Sequence, residues 1–141
     1  MRMPFSIAWQ ARGTFIRFWG CVDLDTVTNS NDALWLDPRF DDHTYCIYDL
    51  RDVEKWDVAM DQAKVLAALD LAASQHAPRL RLVFLAHEAY SIQFVEAYIQ
   101  HSRRMRSPWD FVILKNEDEA VAWLGLDDQT QSNEGSTFSE E

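Results

Sequence analysis

Glycine is scarce in this chain. Only four occur in 141 residues, and none stands ahead of a helix in a G-x-G-x-x-G or Walker arrangement. That removes the backbone cradle on which phosphate groups sit, and nucleotide binding falls with it. Cysteine is scarcer still: Cys21 and Cys46 lie in no C-x-x-C or Cys/His spacing, which argues against a disulfide framework and against a zinc site. Two reduced, buried thiols are the expectation. His43, His76, His87 and His101 fall on four separate segments, none at metal-ligand spacing from another His or Cys, so they read as surface or helix-terminal side chains and no metal or cofactor is expected.

Basic residues are also in deficit. Lys and Arg total 13 against 23 Asp and Glu, a net charge of −10. Five of the acids and none of the bases lie in residues 127–141, which leaves the body at −5. A negative body lacks the basic face that phosphate neutralisation needs, so nucleic acid is not an expected partner. Long apolar runs are missing too. Val65 to Leu69 is ended by Asp70, far short of the ~20 residues that span a bilayer. The stretch Phe5 to Trp9 is interrupted by Gln10 and Arg12 before it forms a signal-peptide core. A cytoplasmic location without a transmembrane segment is expected. Ser91 has no G-x-S-x-G context, and no nucleophile is paired with a base, so the chain is not expected to be an enzyme.

What is present suits one packed core. Hydrophobic residues make up 48% and aromatics 13%, with six Trp. A domain of this size buries roughly 68–70% of its unfolded surface. Phe5, Ile7 and Trp9 alternate, and Thr14 to Gly20 reads as a second strand after a short join at Ala11-Arg12-Gly13. Asp23 offers a helix N-cap, Leu24, Val27, Asn31 and Leu34 share a helical face, and Pro38 ends the element. Thr44 to Leu50 reads as a third strand, followed by a polar loop at Arg51 to Lys55.

Asp57 to Ser74 has helix composition, with one apolar stripe at Val58, Val65, Leu69 and Ala72 and another at Met60, Ala63, Ala67 and Leu71. Leu80 to Leu85 is nearly all apolar, as in the buried centre of a parallel sheet. A helix capped by Ser91 runs to about Arg104, Trp109 to Leu114 is a fifth strand, and Glu117 to Leu124 is a closing helix ended by Gly125. The fold class that follows is α/β: a mixed, mostly parallel five-stranded sheet with about four helices in the order β-β-α-β-α-β-α-β-α, the first strand antiparallel at an edge. Residues 1–126 form the domain, and 127–141, too polar to bury themselves, are expected to be a disordered acidic tail.

Gly20 with its acidic helix start, Tyr48-Asp49-Leu50-Arg51-Asp52-Val53, Leu69-Asp70-Leu71-Ala72-Ala73-Ser74 and Glu119-Ala120-Val121-Ala122-Trp123-Leu124, taken in that order, resemble the SpoIIAA-like family over about residues 5 to 125. That family is related in fold to STAS domains and Sec14-type lipid-binding domains. The anti-sigma-factor antagonists among these relatives carry an Asp-Ser-x-Gly signature after the third strand, where the Ser is phosphorylated. Here Asp49 to Asp57 contains no Ser, Thr or Gly, so no hydroxyl is present to receive a phosphate. The resemblance therefore implies a binding domain and not an enzyme, with an apolar ligand cavity and contact with membrane surfaces.

Ligands of open α/β sheets bind at the carboxyl ends of strands. Trp56, Met60, Tyr90 and Phe94 stand beside the ends of the third and fourth strands and are the candidate ligand-binding residues, with ordinary core as the rival reading, stronger for Met60 and Phe94. Asp49, Asp52 and Asp57 read as structural carboxylates, and His87-Glu88 as a weak motif. Arg103, Arg104 and Arg106 suit a helix C-terminus better than an anionic membrane. The expected function is binding of a small apolar or lipid-like ligand with reversible membrane-surface contact. The alternative is a regulatory module that binds a protein partner without the phosphorylatable Ser, and homodimerisation is left open by both.

Overall fold

The computed structural model describes residues 3–126 and 138–140. Its elements are β1 (Phe5–Gln10), β2 (Gly13–Asp23), α1 (Leu24–Trp35), a 3-10 turn (Pro38–Asp42), β3 (Tyr45–Asp57), α2 (Gln62–Ala73), β4 (Arg81–Leu85), α3 (Ala89–Arg104), β5 (Asp110–Leu114), α4 (Glu117–Leu124) and β6 (Phe138–Glu140). One sheet runs in the order β5-β4-β3-β2-β1-β6. The strands β2 to β5 are mutually parallel, and β1 is antiparallel to both neighbours. The mixed, mostly parallel sheet with four helices expected from the sequence is present.

Strand periodicity splits the core in two. Ile16, Phe18, Cys46, Tyr48, Leu82 and Phe84 point to one face, where they meet α1, α2 and α3. Their neighbours Phe15, Tyr45, Ile47, Val83 and Leu85 point to the other, where Ala120 and Trp123 of α4 cover them. Two apolar faces explain why β4 reads as an unbroken hydrophobic run. The tight β1–β2 join places Gly13 against the Tyr45 ring, so closely that a Cβ there would overlap the ring carbons. Helix ends follow local chemistry. Asp23 accepts from the Thr26 amide at 2.9 Å, Asn116 caps α4 through the Glu119 amide, and Gly125 closes α4 at φ 73° in the left-handed region.

Several boundaries differ from the sequence reading. The expected loop at Arg51 to Lys55 is strand: β3 continues to Asp57 and pairs with β2 along its whole length across two register shifts. Asp52, Glu54, Lys55 and Asp57 reach solvent while Val53 and Trp56 stay buried, the strict alternation being broken at the register shift between Val53 and Lys55. α2 begins at Gln62 and not at Asp57, and it buries Ala63, Leu66, Ala67, Asp70 and Ala73. The stripe at Val65, Leu69 and Ala72 therefore faces solvent. α3 is capped by Glu88, whose carboxylate accepts from the Tyr90 and Ser91 amides. Ser91 sits one turn inside. Cys46 is buried as expected, whereas Cys21 is exposed and His43 is buried. Within the expected disordered tail, Phe138–Glu140 pairs with the outer edge of β1; 127–137 and 141 lie outside the described residues.

Candidate functional site

Between the sheet and the layer formed by α1, α2 and α3 lies a cavity of about 50 Å³. That is several times the ~10–15 Å³ needed by one water, and a third of the ~150 Å³ that accommodates benzene. Aromatic rings build most of its wall. Tyr48 of β3 stacks between Phe18 and Phe84, with centroids 6.3 and 5.3 Å away, and Tyr98 of α3 meets Phe84 edge-on at 5.9 Å. Trp56, at the end of β3, closes another side and packs on Phe94 of α3 at 5.3 Å.

Polar groups interrupt this wall at a few points. Asp70 projects from the buried face of α2, and its Oδ2 accepts a hydrogen bond from the Tyr98 hydroxyl. Its other oxygen, Oδ1, is buried without a hydrogen-bond partner among the protein groups. Burial pushes the Asp70 carboxyl up to about 8, although the Tyr98 hydrogen bond pulls the other way. The side chain is thus a neutral acid near pH 7. Burial also pushes the Tyr48 and Tyr98 phenols well above their ordinary range and raises the Cys46 thiol. The Tyr48 hydroxyl donates to Asn31 Oδ1 at 3.3 Å, and the Trp56 indole Nε1 is buried without a partner.

Of the four candidate residues, Trp56 and Phe94 line the cavity and touch each other. Tyr90 lies outside the lining, with its hydroxyl tied to the Val58 carbonyl at 2.9 Å. Met60 is partly exposed in the connection between β3 and α2. Asp70, Tyr48, Tyr98 and Asn31 were not singled out from sequence. The available signal was Asp70, an acid at the i+3 and i+4 spacing of Leu66, Ala67, Ala73 and Ser74, all buried.

Several charged residues outside the cavity have structural partners. Asp49 accepts from the Arg51 amide and guanidinium, and Arg51 also reaches Glu117 at 3.1 Å, tying β3 to α4. Asp52 pairs with Arg17 at 2.8 Å. Asp57 ends β3 and caps no helix; Asp61 precedes α2 without a side-chain cap bond. His87 bonds the Lys115 carbonyl, while His43 bonds Thr14 between the rings of Trp9 and Phe40, with its pKa lowered by burial. Among the described residues, no three His, Cys, Asp or Glu side chains gather as a metal site.

No family profile and no curated protein matches the sequence. The structure is similar to that of an uncharacterised DUF3478-family protein of Shewanella loihica with a SpoIIAA-like fold, at a TM-score of 0.51. The likeness covers 85% of this chain and 93% of the other, with 10% sequence identity. The fold is SpoIIAA-like. This bears out the sequence resemblance in its architecture, and a SpoIIAA-like sheet sets the cavity against one face, with α2 and α3 as its outer wall. Where the sequence resemblance places the phosphorylatable Ser of the anti-sigma-factor antagonists, this chain has strand β3. The connection that follows, 58–61, contains no Ser or Thr either. Among the described residues no helix is long and apolar enough to cross a membrane.

Proposed function

We propose that this chain is a non-enzymatic binding domain that takes a small, mainly apolar ligand into the cavity beside Trp56. The observation that carries this reading is the cavity itself, set in a core otherwise packed tightly enough to bury Leu82 and Phe94 on its rim. An aromatic wall with few polar groups is the usual composition of a small-molecule site. At about 50 Å³ the space fits a compact molecule and not an extended acyl chain. A lipid would enter only if the end of β3 and the start of α3 separated. Native mass spectrometry of freshly purified protein tests the reading: a retained small molecule supports it, and a retained phospholipid would replace it with the lipid reading. Membrane contact would be carried by Arg103, Arg104 and Arg106 at the end of α3, exposed residues that also suit the helix dipole; co-sedimentation with phosphatidylserine vesicles tests it.

A second reading is favoured by a different observation. Val65 and Leu69, at i and i+4 on the outer side of α2, are 48% and 50% exposed, with Met60 beside the same helix start. An exposed apolar helix face suits a protein partner or a second copy of the chain. Val65→Lys with Leu69→Lys would abolish such an association in light scattering while leaving the cavity intact. A monomer at all concentrations, with no change in the double variant, would exclude the homodimer.

A further inference from the structure

We infer that the ligand of this cavity is a small neutral molecule carrying a hydrogen-bond acceptor, a ketone, aldehyde or ester carbonyl, which Asp70 holds through Oδ1; the inference rests on the binding-domain reading above. Asp70 is only 6% exposed, and Oδ1 has no partner while Oδ2 is held by the Tyr98 hydroxyl. With Oδ2 accepting, the proton of the neutral acid resides on Oδ1, which makes that atom a donor. A second unpartnered donor, the Trp56 indole N–H, belongs to another wall residue of the same cavity. Both unmet groups of the lining are therefore donors. A buried donor without a partner is costly, and a ligand that supplies an acceptor relieves that cost.

Other ligand chemistries fit less well. No Lys, Arg or His lines the cavity, so an anion would enter with its charge uncompensated. An ammonium brings three donors, yet Asn31 Oδ1 already accepts from Tyr48 and Asp70 Oδ2 from Tyr98, so of these side-chain acceptors only Asp70 Oδ1 is without a partner and two of the three donors stay unmet. A purely apolar molecule fills the space but leaves both donors unmet. A carbonyl at the end of a short apolar body uses the aromatic wall and Asp70 together.

The test uses two small molecules of the same shape, acetone, the smallest ketone, and 2-methylpropene, titrated into the full chain at pH 6 and read from the methyl NMR signals of Leu66, Leu82 and Val95. Both are expected to bind. The ketone-to-alkene affinity ratio is expected to fall about tenfold in Asp70→Leu, the loss of one good hydrogen bond. It should persist in Asp70→Asn, whose amide can accept from Tyr98 and donate in place of Oδ1. In the parent, ketone affinity should decline as pH rises through about 8, while alkene affinity and the Asp70→Asn variant stay flat. The titratable groups facing Asp70 are Tyr98 on α3 and Tyr48 and Cys46 on β3, and burial raises all three. An unchanged ratio in folded Asp70→Leu overturns the assignment and leaves the apolar cavity standing. Ketone affinity that stays level or rises as pH passes through about 8 shows that the Asp70 proton does not hold the carbonyl and also overturns it. If neither molecule binds the parent, the cavity holds water alone, and both this inference and the binding-domain reading fail.

Discussion

Replacing Asp70 by Asn should stabilise the protein at neutral pH and have least benefit in acid. The carboxyl titrates at about 8 when folded against an ordinary 3.8, so between these values the folded state holds a proton that the unfolded state has released. Stability from this group is fully present below the unfolded value and is lost as pH rises through the folded one, at ~1.4 kcal/mol per pH unit. At pH 7, about three units above the unfolded value, the accumulated cost is roughly 4 kcal/mol. That is a large share of the ~5–15 kcal/mol by which a domain is stable. Asn carries no such pH dependence, and its carbonyl can still accept the Tyr98 hydroxyl. Urea denaturation of the parent and Asp70→Asn at pH 4.5, 6 and 7.5 isolates the effect, because both proteins share every other titration. The difference in unfolding free energy should shift towards Asp70→Asn as pH rises. A flat difference, or one that moves towards the parent, would show Asp70 ionised and paired in the folded protein and would refute the reasoning.

Gly13→Ala should cost about 1–3 kcal/mol in thermal or urea unfolding, the range of overpacked sites, since its Cβ would press into the Tyr45 ring; an unchanged midpoint would mean that the hairpin can shift. Trp123→Ala should cost about 2–3 kcal/mol, below the ~3–5 of a fully buried Trp, because the ring is half-buried and lies under the Arg81 guanidinium at 4.1 Å. Its loss should leave acetone binding unaltered, as Trp123 packs on the face of the sheet opposite the cavity. Truncation after Leu126 removes β6, three residues at the edge of β1, and should change stability by less than about 1 kcal/mol, as expected for a short terminal pairing; a large drop in melting temperature would show that the β1–β6 pairing holds more of the body together than three residues suggest.

Element types were legible where one local signal dominated. The apolar run of β4, the Asp23 cap, and the Gly125 stop with Glu117 to Leu124 before it all come from chemistry confined to a few neighbouring residues. Errors arose where tertiary pairing overrode composition. Arg51 to Lys55 is polar enough for a loop, but β2 runs alongside and supplies a hydrogen-bonding partner as far as Asp57. Val65 and Leu69 are apolar enough for a core, but α2 turns its smaller residues and Asp70 inward. That choice of face was not accessible from α2 alone, because both stripes had the right period. The candidate site was half legible for the same reason. Trp56 and Phe94 follow from position relative to strand ends, whereas Asp70 and Tyr98 meet only through the packing of α2 on α3, 28 residues apart in sequence.

Xenon binding followed by methyl NMR tests the central claim, a ligand-accepting cavity between the sheet and α1 to α3, most directly. The gas is apolar, small enough for a 50 Å³ space and indifferent to Asp70, so it reports the cavity independently of any hydrogen bond. Pressurised xenon should shift the methyl signals of Leu66, Leu82 and Val95, which line the cavity, and leave those of Val65 and Leu69 on the outer face unmoved. Shifts confined to the outer face, or none at all, would contradict the account.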